Sequence, residues 1–194
     1  MRRELITSAL AIAVFTLLLG LAYPLVMTGV GQVVWPNKAD GSQLESDGKV
    51  VGSRLIGQEF KGPRYFHSRP SATGYSADVT FFNNLGPNNK ELSDLFRDNL
   101  AAYFKRERRY DPGLRASDVP PDAVQTAASG VDPHISEANA RIQARRVADV
   151  RGLPLDRVLE LVDENTDGRG LGVLGEPGVN VLELNLAIDE AASR

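Results

Sequence analysis

The 194-residue chain has no cysteine and only two histidines, His67 and His134, far apart in sequence. Without thiols there can be no disulfide, thiolate metal site or cysteine nucleophile, and the chain suits a reducing or an oxidising compartment equally. A metal site would need carboxylates to complete it, and neither an HxxxH nor an HExxH spacing occurs. A GxxxxGK[ST] phosphate loop and a GxSxG nucleophile elbow are also missing. Positive charge is not in excess: 22 Lys and Arg stand against 25 Asp and Glu, a net −3, with a pI near 5.5. Nucleic acid is therefore excluded as a partner, because phosphate recognition needs clustered positive charge.

One stretch lacks charge altogether. After Arg2, Arg3 and Glu4 there is no charged side chain from Leu5 to Asn37, 33 consecutive positions. Its apolar part can cross a bilayer core of roughly 30 Å at about 1.5 Å per residue. Thr7, Ser8 and Thr16 interrupt it, and each can bond to its own helix backbone. The pattern predicts one transmembrane helix over residues 5–28, since a core helix would keep a polar face. A cleaved signal peptide is the rival, but its apolar region spans only about 7–15 residues and ends in a small-x-small site, which is absent here. Arg2 and Arg3 place the N-terminal residues 1–4 in the cytoplasm. With them and Glu4 set aside, 20 basic and 24 acidic residues remain, a net −4, for an outward-facing remainder. Ala9, Ala13, Thr16 and Gly20 fall on one helix face as a stripe of small residues, which lets a partner helix approach closely. Pro24 is expected to bend or end the helix, and Gly29, Gly31 and Pro36 mark a linker over residues 29–46.

Residues 47–194 read as a mixed α+β domain, extracytoplasmic and tethered by that one helix. Asp47-Gly48 signals a turn, and residues 49–56 a strand. From Asn89 apolar residues recur at helical spacing through Leu92, Leu95, Phe96, Leu100, Tyr103 and Phe104. Lys105, Arg106, Arg108 and Arg109 suit that helix's C-terminal dipole. A second helix starts at Ser136, its cap, and stops at Gly152; a third covers residues 154–162. The alternation in Val181-Leu182-Glu183-Leu184-Asn185-Leu186 predicts a strand.

Residues with chemical potential are few. Gly170 to Gly175 match GxGxxG, but a dinucleotide site needs a strand before and a helix directly after. Here Glu176-Pro177-Gly178 and a strand follow, so a flexible glycine loop is expected. A membrane-anchored hydrolase using His134 and Ser129 is the enzymatic alternative, and a secreted binding domain with a cleaved signal is another. Otherwise the polar residues cluster in turn-forming segments, which are either turns and caps or rigid loops that present polar groups to a partner.

Those segments resemble a known family. YFHSRPSA (65–72), NNLGPNN (83–89), SGVDPHIS (129–136), ARRVADVRGLP (144–154) and LGEPGVNVLELNLAID (174–189) are similar, in this order, to the C subunit (KdpC family) of the bacterial Kdp potassium-transporting P-type ATPase. The resemblance implies a non-catalytic, single-pass subunit of the inner membrane. It implies partnership with a channel-like potassium-binding subunit and a P-type ATPase subunit, and potassium as the transported ion. Its role would be assembly of the complex or that of a catalytic chaperone raising ATP affinity. The residues themselves indicate no bound cofactor and no metal; ATP enters only as a family expectation, shared with the ATPase subunit. With the domain outside, direct nucleotide contact would be impossible, so assembly or gating at the external entrance is favoured. Partner contacts are expected at Ala9, Ala13, Thr16 and Gly20 in the membrane. In the domain they are expected at Arg69, Pro70, Ser71, Asn84, Gly86, Pro87, Asp132, His134, Glu176 and Asn180.

Overall fold

The computed structural model describes residues 1–79 and 84–193, in two compact units, Met1–Gln43 and Leu44–Arg194. In the first, α1 (Arg2–Leu17), a π-helical turn (Leu18–Ala22) and α2 (Tyr23–Val34) form one continuous helical run. Among the described residues it is the one helix long and apolar enough to cross a membrane. Pro24 does not end it. The Tyr23 N–H reaches back five residues to the Leu18 carbonyl, and this widened turn takes up the missing N–H and the ring that would crowd a regular α-turn. The helix stops instead at Trp35 (φ −139°, ψ 63°), because the residue before Pro36 is driven out of the helical region. Residues 29–34, expected in a linker, are therefore helical, and a short α3 (Pro36–Ala39) follows.

The second unit opens with the hairpin of β1 (Gln43–Ser46) and β2 (Lys49–Ser53). Asp47 and Gly48 both have positive φ, 51° and 72°, as a tight hairpin turn requires. The strand stops short of Ile56, whose N–H turns back to the Ser53 carbonyl. Helix α4 (Lys90–Glu107) is capped by Asn89, whose Oδ1 accepts from the Glu91 N–H at 2.9 Å. Helix α5 (Glu137–Arg151) is capped by Ser136 and closed by Gly152 at φ 66°, and α6 (Leu155–Glu164) follows. The start of α4 and both ends of α5 agree with the sequence reading, and α6 runs two residues beyond its expected end.

Short strands β3 (His134–Ile135), β4 (Thr166–Asp167) and β5 (Gly178–Asn180) form an antiparallel sheet in the order β3-β5-β4. The core packs Ala140, Ala144 and Val147 of α5 and Val158, Leu161 and Val162 of α6 against α7 (Val181–Ser193), with Phe66, Ile135 and Val179 filling the centre. A smaller cluster gathers Tyr103, Leu114 and Ala123.

Two expectations change. Residues 181–186 begin helix α7 and are not a strand. Asn180 Oδ1 accepts the Glu183 N–H at 3.1 Å, and Val181, Leu184, Asn185 and Ile188 are buried at helical spacing. The alternation arose because Asn185, polar in sequence, belongs to the buried stripe. The GxGxxG segment is no open loop: Gly170 and Leu174 exchange backbone hydrogen bonds in a tight hairpin, and β5 separates it from α7.

Gly57 shows how closely the chain is folded on itself. Its N–H donates to the Val131 carbonyl at 2.7 Å, and a Cβ there would lie 2.3 Å from the Asp132 carbonyl oxygen. Gly57→Ala should therefore cost about 1–3 kcal/mol by overpacking and lower the thermal midpoint measured by circular dichroism.

Candidate functional site

Residues 65–71 adopt neither helix nor strand, yet Phe66 among them is fully buried. A buried extended backbone must find partners for its amides and carbonyls. Side chains supply them. Asn185 of α7 accepts the Phe66 N–H at 2.8 Å and donates to its carbonyl at 3.0 Å. Gln143 of α5 does the same for His67, at 2.8 and 3.0 Å. Arg146 donates to the Tyr65 carbonyl at 2.8 Å and also to that of Pro63. Two amide side chains and a guanidinium thus replace a neighbouring strand.

Arg146 is itself buried, as is its partner Glu107 of α4, whose two oxygens it meets through Nε at 3.1 Å. Burial pulls the Arg146 pKa down, and the Glu107 carboxylate opposes this. Arg106 adds a second bond to Glu107 at 2.7 Å. The network continues from Gln143 to Asn139 and on to the Tyr103 hydroxyl, which donates to Asn139 at 2.9 Å. Burial first, and the nearby Glu107 charge second, raise the Tyr103 phenol well above its ordinary value, so it stays protonated.

Beyond Phe66 the segment leads to a chain of ion pairs. Arg69 meets Asp132 at 2.9 Å. Asp132 also accepts the His134 N–H, and His134 Nε2 donates to Asp167 at 3.0 Å. Asp167 in turn pairs with Arg54 at 2.5 Å, and Arg54 with Glu183 of α7 at 2.8 Å. Burial alone would raise the Asp167 pKa, but the hydrogen bonds from His134 and Arg54 outweigh it and hold the carboxyl below its usual range. Ser71 donates to the Gly130 carbonyl at 2.6 Å, and Asn180 to that of Arg54 at 2.9 Å. Arg69, Asp122, Asp132, His134, Asp167 and Glu176 line one cleft of about 390 Å³. A neighbouring cleft of about 480 Å³ opens beside His67, Arg69 and Arg106.

Of the candidate residues, Arg69, Ser71, Asp132, His134 and Asn180 are thus brought together, with Glu176 on the cleft rim. Pro70 stands beside them, its carbonyl accepting from Ala127. Asn84, Gly86 and Pro87 lie apart, exposed in the turn before α4. Asn83, first residue of its motif, lies outside the described residues. On the helix Arg2–Val34, a Cβ at Gly20 would contact Thr16 at 3.8 Å, so these two small residues of the stripe are neighbours. Among the described residues no hydrogen bond joins Ser129 to His134. Ser129 Oγ accepts the Val131 N–H and His134 is committed to Asp167. Sequence reading missed Glu107, Asn139, Gln143, Arg146 and Asn185. Their signal was a polar residue recurring on the apolar stripe of a helix.

The sequence pattern of the family described as K+-transporting ATPase, c chain, matches residues 5–190. The chain belongs to this family, KdpC. It is similar to the potassium-transporting ATPase KdpC subunit of Rhodospirillum rubrum, 50% identical over 98% of this chain and 97% of the relative. The subunit of the same name from Koribacter versatilis is 47% identical over 97% and 95%. That of Mycobacterium tuberculosis is 46% identical over 97% and 99%. Three of the five segments that carried the resemblance to KdpC, 65–72, 129–136 and 174–189, are joined by the ion-pair chain and the amide clamps.

His67 gives this clamp a pH dependence. Burial, with the Arg106 and Arg146 charges, pushes its pKa down to about 4, so the folded chain keeps the ring neutral while the unfolded chain takes up a proton near 6.5. The stability it confers is full above pH 6.5 and is lost as pH falls from 6.5 towards 4. His67→Gln should flatten the fall in urea-unfolding stability across that window; an unchanged slope would contradict the assignment.

Proposed function

We propose that this KdpC-family chain is the non-catalytic accessory subunit of a potassium-transporting P-type ATPase, held in the inner membrane by the helix Arg2–Val34 and holding the larger subunits together. Family membership over residues 5–190, joined to one membrane-spanning helix, carries the reading. The partners are a channel-like potassium-binding subunit and the ATPase subunit, and potassium is their cargo. The polar groups support a scaffold, since Arg69, Ser71, Asp132, His134 and Asn180 are each engaged by a neighbour in the fold. Neither the hydrolase reading through Ser129 and His134 nor the secreted binding domain has a supporting observation.

The helix face of Ala9, Ala13, Thr16 and Gly20 packs on a partner helix, where small side chains permit close approach. In the domain, exposed Asn84, Gly86, Pro87 and Glu176 meet the partners directly, while Arg69, Pro70, Ser71, Asp132, His134 and Asn180 fix the surface that does so. Arg2 and Arg3 keep the N-terminus cytoplasmic, so the C-terminal domain is extracytoplasmic. An effect on ATP affinity would then pass through the membrane helices and require two states of the complex that this subunit binds differently.

In sealed spheroplasts carrying the assembled complex, added protease should digest the domain without lysis, and the chain should purify with two larger membrane proteins. Digestion only after the membrane is breached would place the domain inside and restore direct ATP contact.

A further inference from the structure

The hairpin 169–176 is built in an unusual way. Its tip is Leu171-Gly172, with φ 53° and 79°. The Gly170 carbonyl accepts from Val173 at 3.1 Å and Leu174 at 2.8 Å, and the Gly170 N–H donates to the Leu174 carbonyl at 2.7 Å. An Arg169–Glu176 ion pair at 2.7 Å closes the base. This framework displays apolar side chains to solvent: Leu171 is 92% exposed, Val173 73% and Leu174 62%. A branched side chain in the left-handed region is unfavourable, and glycine would fit that turn better. Leucine at the tip therefore works against the fold while adding nothing to the core.

We infer that this hairpin is a docking finger whose Leu171, Val173 and Leu174 enter an apolar socket on one of the larger subunits. The inference rests on the accessory-subunit reading above. Charge selects the occupant. Segments that lie in a lipid interface set Trp, Phe or Leu side chains beside a face rich in Lys and Arg. This hairpin has no aromatic residue, and one cation, Arg169, which is already paired. Its root adjoins the cleft lined by Asp122, Asp132, Asp167 and Glu176 together with Arg69; Arg69, Arg54 and Arg169 pair with three of these carboxylates and leave Asp122 in excess, so the surround stays net negative and an anionic leaflet would repel it. A second copy would set the same carboxylates against each other. A protein socket with an apolar floor and a basic rim satisfies both the tip and its surround.

Two measurements on the complex, purified through a tag on the ATPase subunit, test this. A photo-crosslinking phenylalanine derivative placed at Leu171 should link this chain to a larger subunit; crosslinks to lipid or to a second copy would overturn the proposal. Leu171→Gly should keep or raise the thermal midpoint of the purified chain, because it relieves the turn, yet weaken its retention in the complex. Losing one buried leucine corresponds to roughly tenfold to a hundredfold in affinity, and Leu171→Asp with Leu174→Asp should lose more. Full retention of these variants overturns the finger alone. A wild-type chain that is not retained overturns the accessory-subunit reading and the finger with it.

Discussion

Arg146 has no exposed surface and Glu107 almost none, yet the pair sits where α4, α5 and the extended segment at Tyr65 meet. Two charges taken from water gain little by attraction alone, because desolvation offsets most of it. What distinguishes this pair is that the guanidinium's other donors go to the Pro63 and Tyr65 carbonyls and to Gln143. The ion pair therefore aims a fork of donors at a backbone that has no strand beside it. Losing Glu107 would leave the Arg146 charge buried without a counter-charge, at a cost on the order of 3–5 kcal/mol; losing Arg146 would leave Glu107 to Arg106 and release the segment that the guanidinium holds.

From that clamp the rest of the domain follows. With Gln143 and Asn185 fixing His67 and Phe66, Phe66 enters the core between α5 and α7, and the next residues are carried to the Asp132–His134 loop. There Arg69, Asp132, His134, Asp167, Arg54 and Glu183 form a continuous chain of ion pairs and hydrogen bonds, tying the β1–β2 hairpin, the β3-β5-β4 sheet and α7 to one another. Rigidity is its product, and a rigid surface suits a subunit that organises others. A domain without disulfides has to obtain that rigidity from packing and from buried polar bonds.

Much of this was legible in the sequence. The charge-free run located the helix long and apolar enough to cross a membrane; Asn89, Ser136 and Gly152 marked helix ends, because capping is local chemistry. Pro24 interrupts the regular α-helix without ending it, since a π turn five residues wide can absorb a proline, and only Pro36 ends it. Asn185 misled: a polar residue on the buried stripe turned a helical period into an apparent alternation. The family motifs pointed to the residues of the polar cleft; Arg146 and Asn185 also lie within motifs and Gln143 just outside one, but nothing local sets them apart, because the backbone groups they hold lie 76 to 119 positions away in sequence.

The claim that side-chain amides stand in for a strand is most directly tested by hydrogen exchange at the Phe66 and His67 backbone amides. Both lie outside regular structure, so their protection would come from Asn185 and Gln143 alone. They should exchange as slowly as the buried amides of α5. Exchange at the rate of an open loop would contradict the account.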